Sequence, residues 1–242
     1  MKYSLVLVAT IYGAVTAAQA IVIDFESPYT AGSALSGQEG WGGNSSTISV
    51  ESGVGEGGSA GGQFFSSLST TFAGVNLTPS AADLGGSNSL SGQYSYSFDI
   101  TINDTPAASE SFQAIWSLYL GDGTSGNSAR INFSDAGRVR ANGGSGASYT
   151  LTQGNFSTIS GVVDYDTGTF TLLADSVLID SGTLGTSGSG ALDLTMRVNG
   201  PSSAQWRQYT IDNIDIATVP EPSTIIMLGF GGLVLIWLRR CG

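Results

Sequence analysis

The stretch Tyr94–Ile102 reads YSYSFDITI and alternates strictly between large apolar and small polar side chains. Its aromatic residues and isoleucines fall on one face, whereas its serines, its aspartate and its threonine fall on the other. A period of two residues is the pattern of a β-strand with one buried face. The stretch therefore predicts a long core strand and places the chain in the all-β class.

The same alternation extends along most of the chain. Phe112–Leu120 also carries Ile115 and Tyr119 on its second face, which predicts a strand that is covered on both sides. Leu192–Val198 alternates leucine, methionine and valine with polar residues. Further strands are predicted at Ile21–Phe25, Ile48–Glu51, Ala129–Ser134, Arg138–Asn142, Ser148–Thr152, Ile159–Tyr165, Thr169–Leu173, Val177–Asp180 and Tyr209–Ile216.

The segments between these strands are rich in Gly, Ser, Asn and Asp, as in Gly121–Asn127, which favours turns. The sequence Asp166-Thr167-Gly168 is typical of a hairpin turn between two predicted strands. About a dozen short strands separated by turns predict a two-sheet antiparallel β-sandwich, in particular a jelly roll. A closed barrel is the structural alternative. We expect residues 21–218 to form this single domain.

The composition excludes several functions. The 242 residues include 35 Gly, one Cys and no His, and 8 Lys and Arg stand against 19 Asp and Glu, for a net charge of −11. Without an imidazole, the chain has no Ser-His-Asp or Cys-His nucleophile and no His-ligated zinc. Nucleic acid is not an expected partner, because phosphate binding requires clustered Lys and Arg.

Met1–Ala20 has the composition of a secretory signal peptide. Lys2 provides the basic start, Leu5–Val15 provides the apolar stretch, and Ala18 and Ala20 mark the predicted cleavage site. A membrane anchor is the alternative, but the apolar stretch is too short to span a bilayer. The domain that follows holds 5 arginines and 18 carboxylates, a balance of −13 with no lysine.

The C-terminus combines three features in order. Val219–Thr224 reads VPEPST, and its prolines are expected to end the preceding strand and start a helix. The apolar run Ile225–Leu238 predicts a transmembrane helix, although at 1.5 Å per residue it covers about 20 Å of the roughly 30 Å hydrocarbon core. Arg239 and Arg240 lie in the basic tail 239–242, which is expected to stay in the cytoplasm.

This tail resembles the PEP-CTERM sorting signal of exopolysaccharide-producing bacteria. The residues that carry the resemblance, besides the apolar helix, are Val219, Pro220, Glu221, Pro222, Ser223, Arg239 and Arg240. The resemblance implies that exosortase, a membrane-embedded cysteine transpeptidase, recognises and removes residues 219–242. It also implies export across the inner membrane, transient anchoring by the helix, and a final location at the cell surface or outside the cell. An ordinary single-pass anchor is the alternative.

The domain itself loosely resembles laminin-G-like and carbohydrate-binding-module jelly rolls. The resemblance is carried by Ile21–Glu26, Gly37–Trp41, Val163–Thr171 and Tyr209–Ile216. It implies that the first and last strands pair near one edge and that Asp24, Glu26 and Asp212 hold a structural Ca²⁺ ion. Carboxylate oxygens are ligands of the type that Ca²⁺ requires. The alternative is that these are solvated strand carboxylates.

Sugar binding requires exposed aromatic rings beside amide and carboxylate groups, because sugars present apolar C–H faces and many hydroxyls. The candidates are the aromatic residues in turn-rich or polar surroundings, which are Tyr29, Trp41, Tyr149 and Trp206. Trp116 is not a candidate, because the alternation of its strand assigns it to the core.

Enzymatic activity is not predicted. A jelly-roll glycosidase needs two carboxylates at a fixed separation, but the domain's five glutamates lie in its first half and mostly in loops. The nearest grouping of an arginine with a tyrosine, Arg207 and Tyr209, is ordinary strand sequence. We therefore expect an exported, non-enzymatic protein that associates with exopolysaccharide. A glycosylated structural coat protein without a specific ligand is the alternative. A polysaccharide hydrolase or lyase is the third hypothesis.

Overall fold

The computed structural model describes residues 20–43, 48–64, 73–84, 88–104, 112, 114–122, 128–184, 190–198 and 208–219. Within these residues, sixteen strands form two antiparallel sheets, so the predicted all-β sandwich is confirmed. The predicted signal peptide up to residue 19 and the predicted helix Ile225–Leu238 lie outside the described residues. No helix in the described ranges is long and apolar enough to cross a membrane.

The larger sheet, sheet A, has nine strands among the described residues. They are β1 (Ala20–Ile23), β2 (Ser33–Ala34), β4 (Ile48–Glu51), β5 (Gly61–Phe64), β7 (Gln93–Ile102), β12 (Ser157–Asp164), β13 (Thr169–Ala174), β14 (Val177–Thr183) and β16 (Tyr209–Val219). Their order across the sheet is β14-β13-β12-β7-β16-β5-β4-β2, and β1 also pairs with β16. The pairing of β1 with β16 confirms that the first and last strands of the domain are neighbours.

The smaller sheet, sheet B, has seven strands in the same described ranges. They are β3 (Gly42–Gly43), β6 (Ala73–Leu77), β8 (Ala114–Gly121), β9 (Ala129–Ser134), β10 (Arg138–Ala141), β11 (Tyr149–Thr150) and β15 (Asp193–Val198). Their order is β11-β10-β9-β8-β15-β6-β3. Strand β8 is buried on both faces, as the sequence predicts, because Ile115 and Tyr119 are each 2 % exposed.

The core lies between the two sheets and is centred on stacked aromatic rings. The indole of Trp116 lies 3.7 Å from the ring of Phe133 and 4.2 Å from that of Phe64, and Tyr209 meets Trp116 edge-on at 5.7 Å. Aromatic pairs of this kind add to the stabilisation that burial provides. Trp116 is 2 % exposed, which confirms its predicted place in the core.

Strand β5 is absent from the sequence prediction, because its GGQF sequence resembles a turn. The strand nevertheless pairs with both β4 and β16. A Cβ atom on Gly62 would lie 2.9 Å from the ring of Phe25, and one on Gly61 would lie 2.8 Å from the methyl of Thr210. The two glycines therefore allow close packing across this part of sheet A.

A β-bulge in β16 shapes one end of the outer face of sheet A. The register with β7 shifts between Asp212 and Asp215, and Asn213 adopts a positive φ of 49°. Asparagine tolerates this conformation better than most residues. The bulge leaves Asp212 buried while Asn213 is exposed.

Candidate functional site

All four described arginines lie on the outer face of sheet B. Arg130 is on β9, Arg138 and Arg140 are on β10, and Arg197 is on β15. Side chains alternate between the faces of a strand, and the neighbours Ile131, Val139 and Met196 lie in the core. The arginines are half-buried and accompany Ser117, Tyr119 and Asn132 on the same face. We call these seven residues the arginine face.

Strand register aligns the arginine face in rows across the sheet. Arg140 pairs with Asn132, Asn132 with Ser117, and Ser117 with Arg197, so one row crosses four strands. Neighbouring strands are about 4.8 Å apart, which separates the backbones at the two ends of this row by roughly 14 Å. In the adjacent row, Arg130 pairs with Tyr119.

A chain of hydrogen bonds connects the floor of the arginine face. Arg130 Nε donates to Ser117 Oγ at 3.2 Å, and Ser117 Oγ donates to Asn132 Oδ1 at 2.7 Å. Asn132 Nδ2 in turn donates to Asn142 Oδ1 at 3.4 Å. Ser117 is fully buried and Asn132 is 3 % exposed, so these bonds hold the floor in one arrangement.

Aromatic rings support the guanidinium groups. Arg130 lies over the ring of Tyr119, with its Cζ atom 5.3 Å from the ring centre. The corresponding distances to the ring of Phe112 are 3.9 Å for Arg140 and 5.9 Å for Arg138. A guanidinium stacked on a ring keeps its N–H donors in a plane parallel to that ring, which restricts the directions in which it binds an acceptor.

Charge is divided between the two sheets. The strands of sheet B carry the four arginines and one acidic residue, Asp193. The strands of sheet A carry no basic residue and six acidic ones, namely Glu51, Asp99, Asp164, Asp180, Asp212 and Asp215. The arginine face is therefore a local cationic surface on a protein with a net charge of −11.

Two of the three predicted calcium ligands contact the same turn. Asp212 is 1 % exposed, and its Oδ2 accepts from Glu56 N at 2.9 Å and from Ser59 Oγ at 2.8 Å. Glu26 Oε1 accepts from Ala60 N at 2.7 Å. Asp24 makes a local bond instead, because its Oδ1 accepts from Glu26 N at 3.1 Å. Within the described ranges no three Asp, Glu, His or Cys side chains form a metal group.

The chemistry of the surrounding atoms nevertheless fits a hard cation. A Cβ atom added to Gly55 would lie 2.3 Å from both Ala60 O and Ser59 Oγ and 2.6 Å from Asp212 Oδ2. A carbonyl, a hydroxyl and a carboxylate oxygen therefore converge here, and Ca²⁺ takes oxygens of all three kinds. Asp212, Ser59 and Ala60, with Glu26 beside them, are the residues that would hold the ion.

Further carboxylates lie next to Asp212. Asn213 Nδ2 donates to Asp99 Oδ2 at 2.9 Å and to Glu56 Oε2 at 3.2 Å. Repulsion from Asp99 and a hydrogen bond with its carboxyl raise the pKa of Glu56. Burial raises the pKa of Asp212. Like charges and desolvation both oppose the ionised form, so this corner of sheet A holds unfavourable negative charge.

Three of the predicted sugar-binding aromatics, Tyr29, Trp41 and Tyr149, lie within the described residues. Trp41 is 2 % exposed and its Nε1 donates to the hydroxyl of Tyr29 at 3.0 Å, so the prediction that it stacks on a sugar is wrong. The rings of Tyr29 and Phe25 are 5.6 Å apart, and Tyr29 borders a depression of about 240 Å³ beside Glu26. Tyr149 is half-buried and donates to Asp175 Oδ2 at 2.6 Å. Trp206 lies outside the described residues.

The described residues of the two predicted processing sites lie near each other in sheet A, because Ala20 pairs with Ala217 on β16. Ala20, at the predicted signal cleavage site, is the first residue of β1, and Val219 is the last residue of β16. Ala18, the remaining motif residues Pro220, Glu221, Pro222 and Ser223, and the pair Arg239 and Arg240 lie outside the described residues.

Comparison with solved structures places the chain among all-β sandwich proteins. A sialidase matches with 13% identity and a TM-score of 0.56 over 83% of this chain, which spans 18% of the sialidase's length. The cellulose induced protein Cip1 matches with 15% identity and a TM-score of 0.52, over 82% of this chain and 97% of Cip1. The carbohydrate esterase of the Shiga toxin-encoding bacteriophage phi24B matches with 11% identity and a TM-score of 0.50, over 75% of this chain and 91% of the esterase.

At these identities the likeness shows the fold alone. A family model described as the PEP-CTERM protein-sorting motif matches residues 218–240, which confirms the predicted sorting signal. Among curated protein sequences, none matches this chain.

The arginine face is the feature that sequence reasoning missed. Its local signals were present, since Arg130 and Asn132 alternate with core residues and so do Arg138 and Arg140. The sequence does not reveal that Arg197, on the distant strand β15, joins the same row. The grouping of Arg130 with Tyr119 was also missed, because the two residues meet only through the pairing of β8 with β9.

Proposed function

We propose that this chain is an exported, non-enzymatic protein that exosortase processes at its C-terminal motif and that binds exopolysaccharide through the arginine face. The row of Arg140, Asn132, Ser117 and Arg197 carries the binding part of the proposal. The half-buried arginines provide N–H donors that sugar hydroxyls can accept, and the buried amide of Asn132 and hydroxyl of Ser117 form the floor that holds Arg130. The sorting motif at residues 218–240 supports the export part.

Intact-mass measurement of the protein recovered from outside its native cells tests the processing. We expect a mass that lacks Met1–Ala20 and the C-terminal segment from Ile225 onward. A secreted protein that retains Ile225–Gly242 would contradict processing by exosortase. The same spectrum reports any added glycan, which is the mark of the alternative coat protein.

Retention on immobilised polysaccharides tests the binding. The full-length protein, in a non-ionic detergent, is passed over a panel of neutral and acidic polysaccharides. We expect retention on at least one of them, and we expect Asn132→Ala to weaken it because Asn132 orients Ser117, which in turn holds Arg130. No retention on any member of the panel, together with added glycan mass, would favour the coat protein.

The geometry around Tyr119 argues against a lyase site on the arginine face. A lyase would use a tyrosine as its base beside a cationic group. Tyr119 is 2 % exposed, and the guanidinium of Arg130 covers the ring face of this tyrosine. We therefore expect no new reducing or unsaturated sugar ends after incubation with the polysaccharides that the protein retains. Formation of such ends by wild type but not by Tyr119→Phe would contradict this part of the proposal.

We further propose that Ca²⁺ binds where Asp212, Ser59 and Ala60 converge beside Glu26. When bound, the cation would neutralise the repulsion around Asp212 and Asp99. We expect millimolar Ca²⁺ to raise the melting temperature of wild type, and we expect Mg²⁺ to do so less because it demands a stricter octahedral geometry. Asp212→Asn should abolish the Ca²⁺ response. An unchanged melting temperature and no heat on calorimetric titration would contradict the proposal.

A further inference from the structure

We infer that the ligand of the arginine face is an anionic polysaccharide, one that carries carboxylate or sulfate groups along a sugar backbone. This inference rests on the proposed polysaccharide binding and names the chemical class of the ligand. It is carried by the division of charge, since four arginines lie on the strands of sheet B and none lies on the strands of sheet A.

The spacing of the arginines suits a linear polyanion. Arg140 and Arg197 stand at opposite ends of one row, roughly 14 Å apart at the backbone. Arg130 lies between them, in the adjacent row, and its Nε contacts Ser117 at the centre. A polysaccharide that lies across β9 and β10 would meet the guanidinium groups of Arg130 and Arg140, which stand above the buried side chains of Ser117 and Asn132.

The guanidinium groups are held in advance of binding. Arg130 is fixed by the hydroxyl of Ser117 and the ring of Tyr119, and Arg140 lies 3.9 Å above the ring of Phe112. A planar guanidinium in a fixed orientation forms two parallel N–H bonds to a carboxylate or sulfate. Such a guanidinium loses less conformational entropy on binding than a mobile lysine side chain would. This strengthens its binding to an anionic group.

The negative charge of the rest of the molecule restricts a polyanion to the arginine face. With a net charge of −11, the protein repels polyanions at long range. A polyanion would therefore approach by the face of sheet B, and the outer face of sheet A would oppose it. Attraction that depends on this face should weaken as salt screens it.

Three polymers with one backbone test the inference. Binding of the full-length protein in non-ionic detergent is measured on dextran, carboxymethyl-dextran and dextran sulfate. We expect the two charged polymers to bind at least about tenfold more tightly than dextran and more weakly as salt increases. In the double variant Arg130→Gln and Arg140→Gln, this preference should fall by about tenfold or more.

Two control variants separate the arginine face from net charge and from stability. The double variant Arg130→Lys and Arg140→Lys keeps the charge but loses the fixed planar donors, so it should bind more tightly than the glutamine pair and more weakly than wild type. Val22→Glu with Val177→Glu changes the net charge by as much as the glutamine pair does, at residues on sheet A that are 65 % and 63 % exposed. This pair should bind as wild type does, and equal losses in both pairs would overturn the inference.

The remaining outcomes decide between the inference and the proposed function. If dextran binds as tightly as its charged forms, the inference that the ligand is anionic is wrong, but the proposed binding of polysaccharide stands. If none of the three binds but a neutral member of the wider panel does, the anionic class is again wrong and the proposed function stands. If no polysaccharide of either set is retained, both are wrong.

Discussion

The outer faces of the two sheets carry opposite charges and hold them in different ways. On sheet A, the carboxylate of Asp212 is buried and accepts from the backbone of Glu56 and the hydroxyl of Ser59. On sheet B, the arginines lie half-buried above a neutral floor, and Arg130 and Arg140 rest on aromatic rings. The comparison indicates that charge on sheet A serves the fold, whereas charge on sheet B lies where the proposed ligand would bind.

This difference predicts that equivalent substitutions act on different properties. Removing a carboxylate from sheet A leaves its hydrogen-bond donors without an acceptor. A buried donor without a partner lowers the free energy of unfolding. Removing a guanidinium from sheet B leaves most hydrogen bonds of the floor in place, because floor residues such as Ser117 and Asn132 bond to each other. Stability should therefore respond on one face and binding on the other.

The largest effect is expected for Asp212→Ala. Glu56 N and Asn213 N lose their acceptor, and Ser59 Oγ keeps only its bond to the carbonyl of Glu56. We expect a loss of about 2–4 kcal/mol in the free energy of unfolding, measured by urea denaturation of the full-length protein in the absence of Ca²⁺. By comparison, Arg140→Gln should change it by less than about 0.5 kcal/mol.

The same strand provides a matched control. Asp215 lies on β16 as well but is half-buried, and Asp215→Ala should cost well under half of the loss in Asp212→Ala. Equal losses at the two positions would show that the hydrogen bonds of Asp212 are not what stabilises this corner. A large loss in Arg140→Gln would contradict the division of roles between the sheets.

A smaller loss in the free energy of unfolding is expected for Asp180→Ala. Asp180 on β14 accepts hydrogen bonds from the loop that follows β10. Burial alone would raise the pKa of Asp180, but hydrogen bonds from the backbone of Ser145, Ser181 and Gly146 together lower it. A carboxyl with a lowered folded-state pKa adds stability above its unfolded-state pKa, and this stability disappears as the pH falls through the folded-state value.

We therefore expect Asp180→Ala to lower the free energy of unfolding by about 1–3 kcal/mol at neutral pH. The difference from wild type should shrink below about pH 4, where the unfolded carboxyl takes up its proton. Urea denaturation at several pH values measures it. A difference that stays constant from neutral to acidic pH would mean that the ionised carboxylate is not the stabilising form.

The strands illustrate how far the sequence predicts this fold. Alternation locates β7 to within one residue and β4 and β9 at their observed bounds, because a buried face imposes a period of two. It misses β5, whose glycines are required by the close approach of Phe25 and Thr210. Such contacts come from residues far along the chain and leave no local pattern.

The site is less predictable than the strands for the same reason. The sorting motif is contiguous, so its residues can be read in order and are confirmed by the match at residues 218–240. The arginine face depends on the register of four strands, and two of them, β9 and β15, meet only through β8. Burial also removes Trp41 from the predicted sugar contacts, and its sequence surroundings of glycines give no sign of this.

The smallest expected effect has the opposite sign and tests the repulsion on sheet A directly. Repulsion from Asp99 raises the pKa of Glu56, so ionised Glu56 destabilises the folded state at neutral pH. Glu56→Gln should raise the free energy of unfolding by no more than about 1 kcal/mol, because solvent screens this exposed group. The gain should fade as acid protonates Glu56 in wild type. Glu39→Gln makes the same charge change in an exposed loop, and an equal gain there would trace the effect to net charge instead of Asp99.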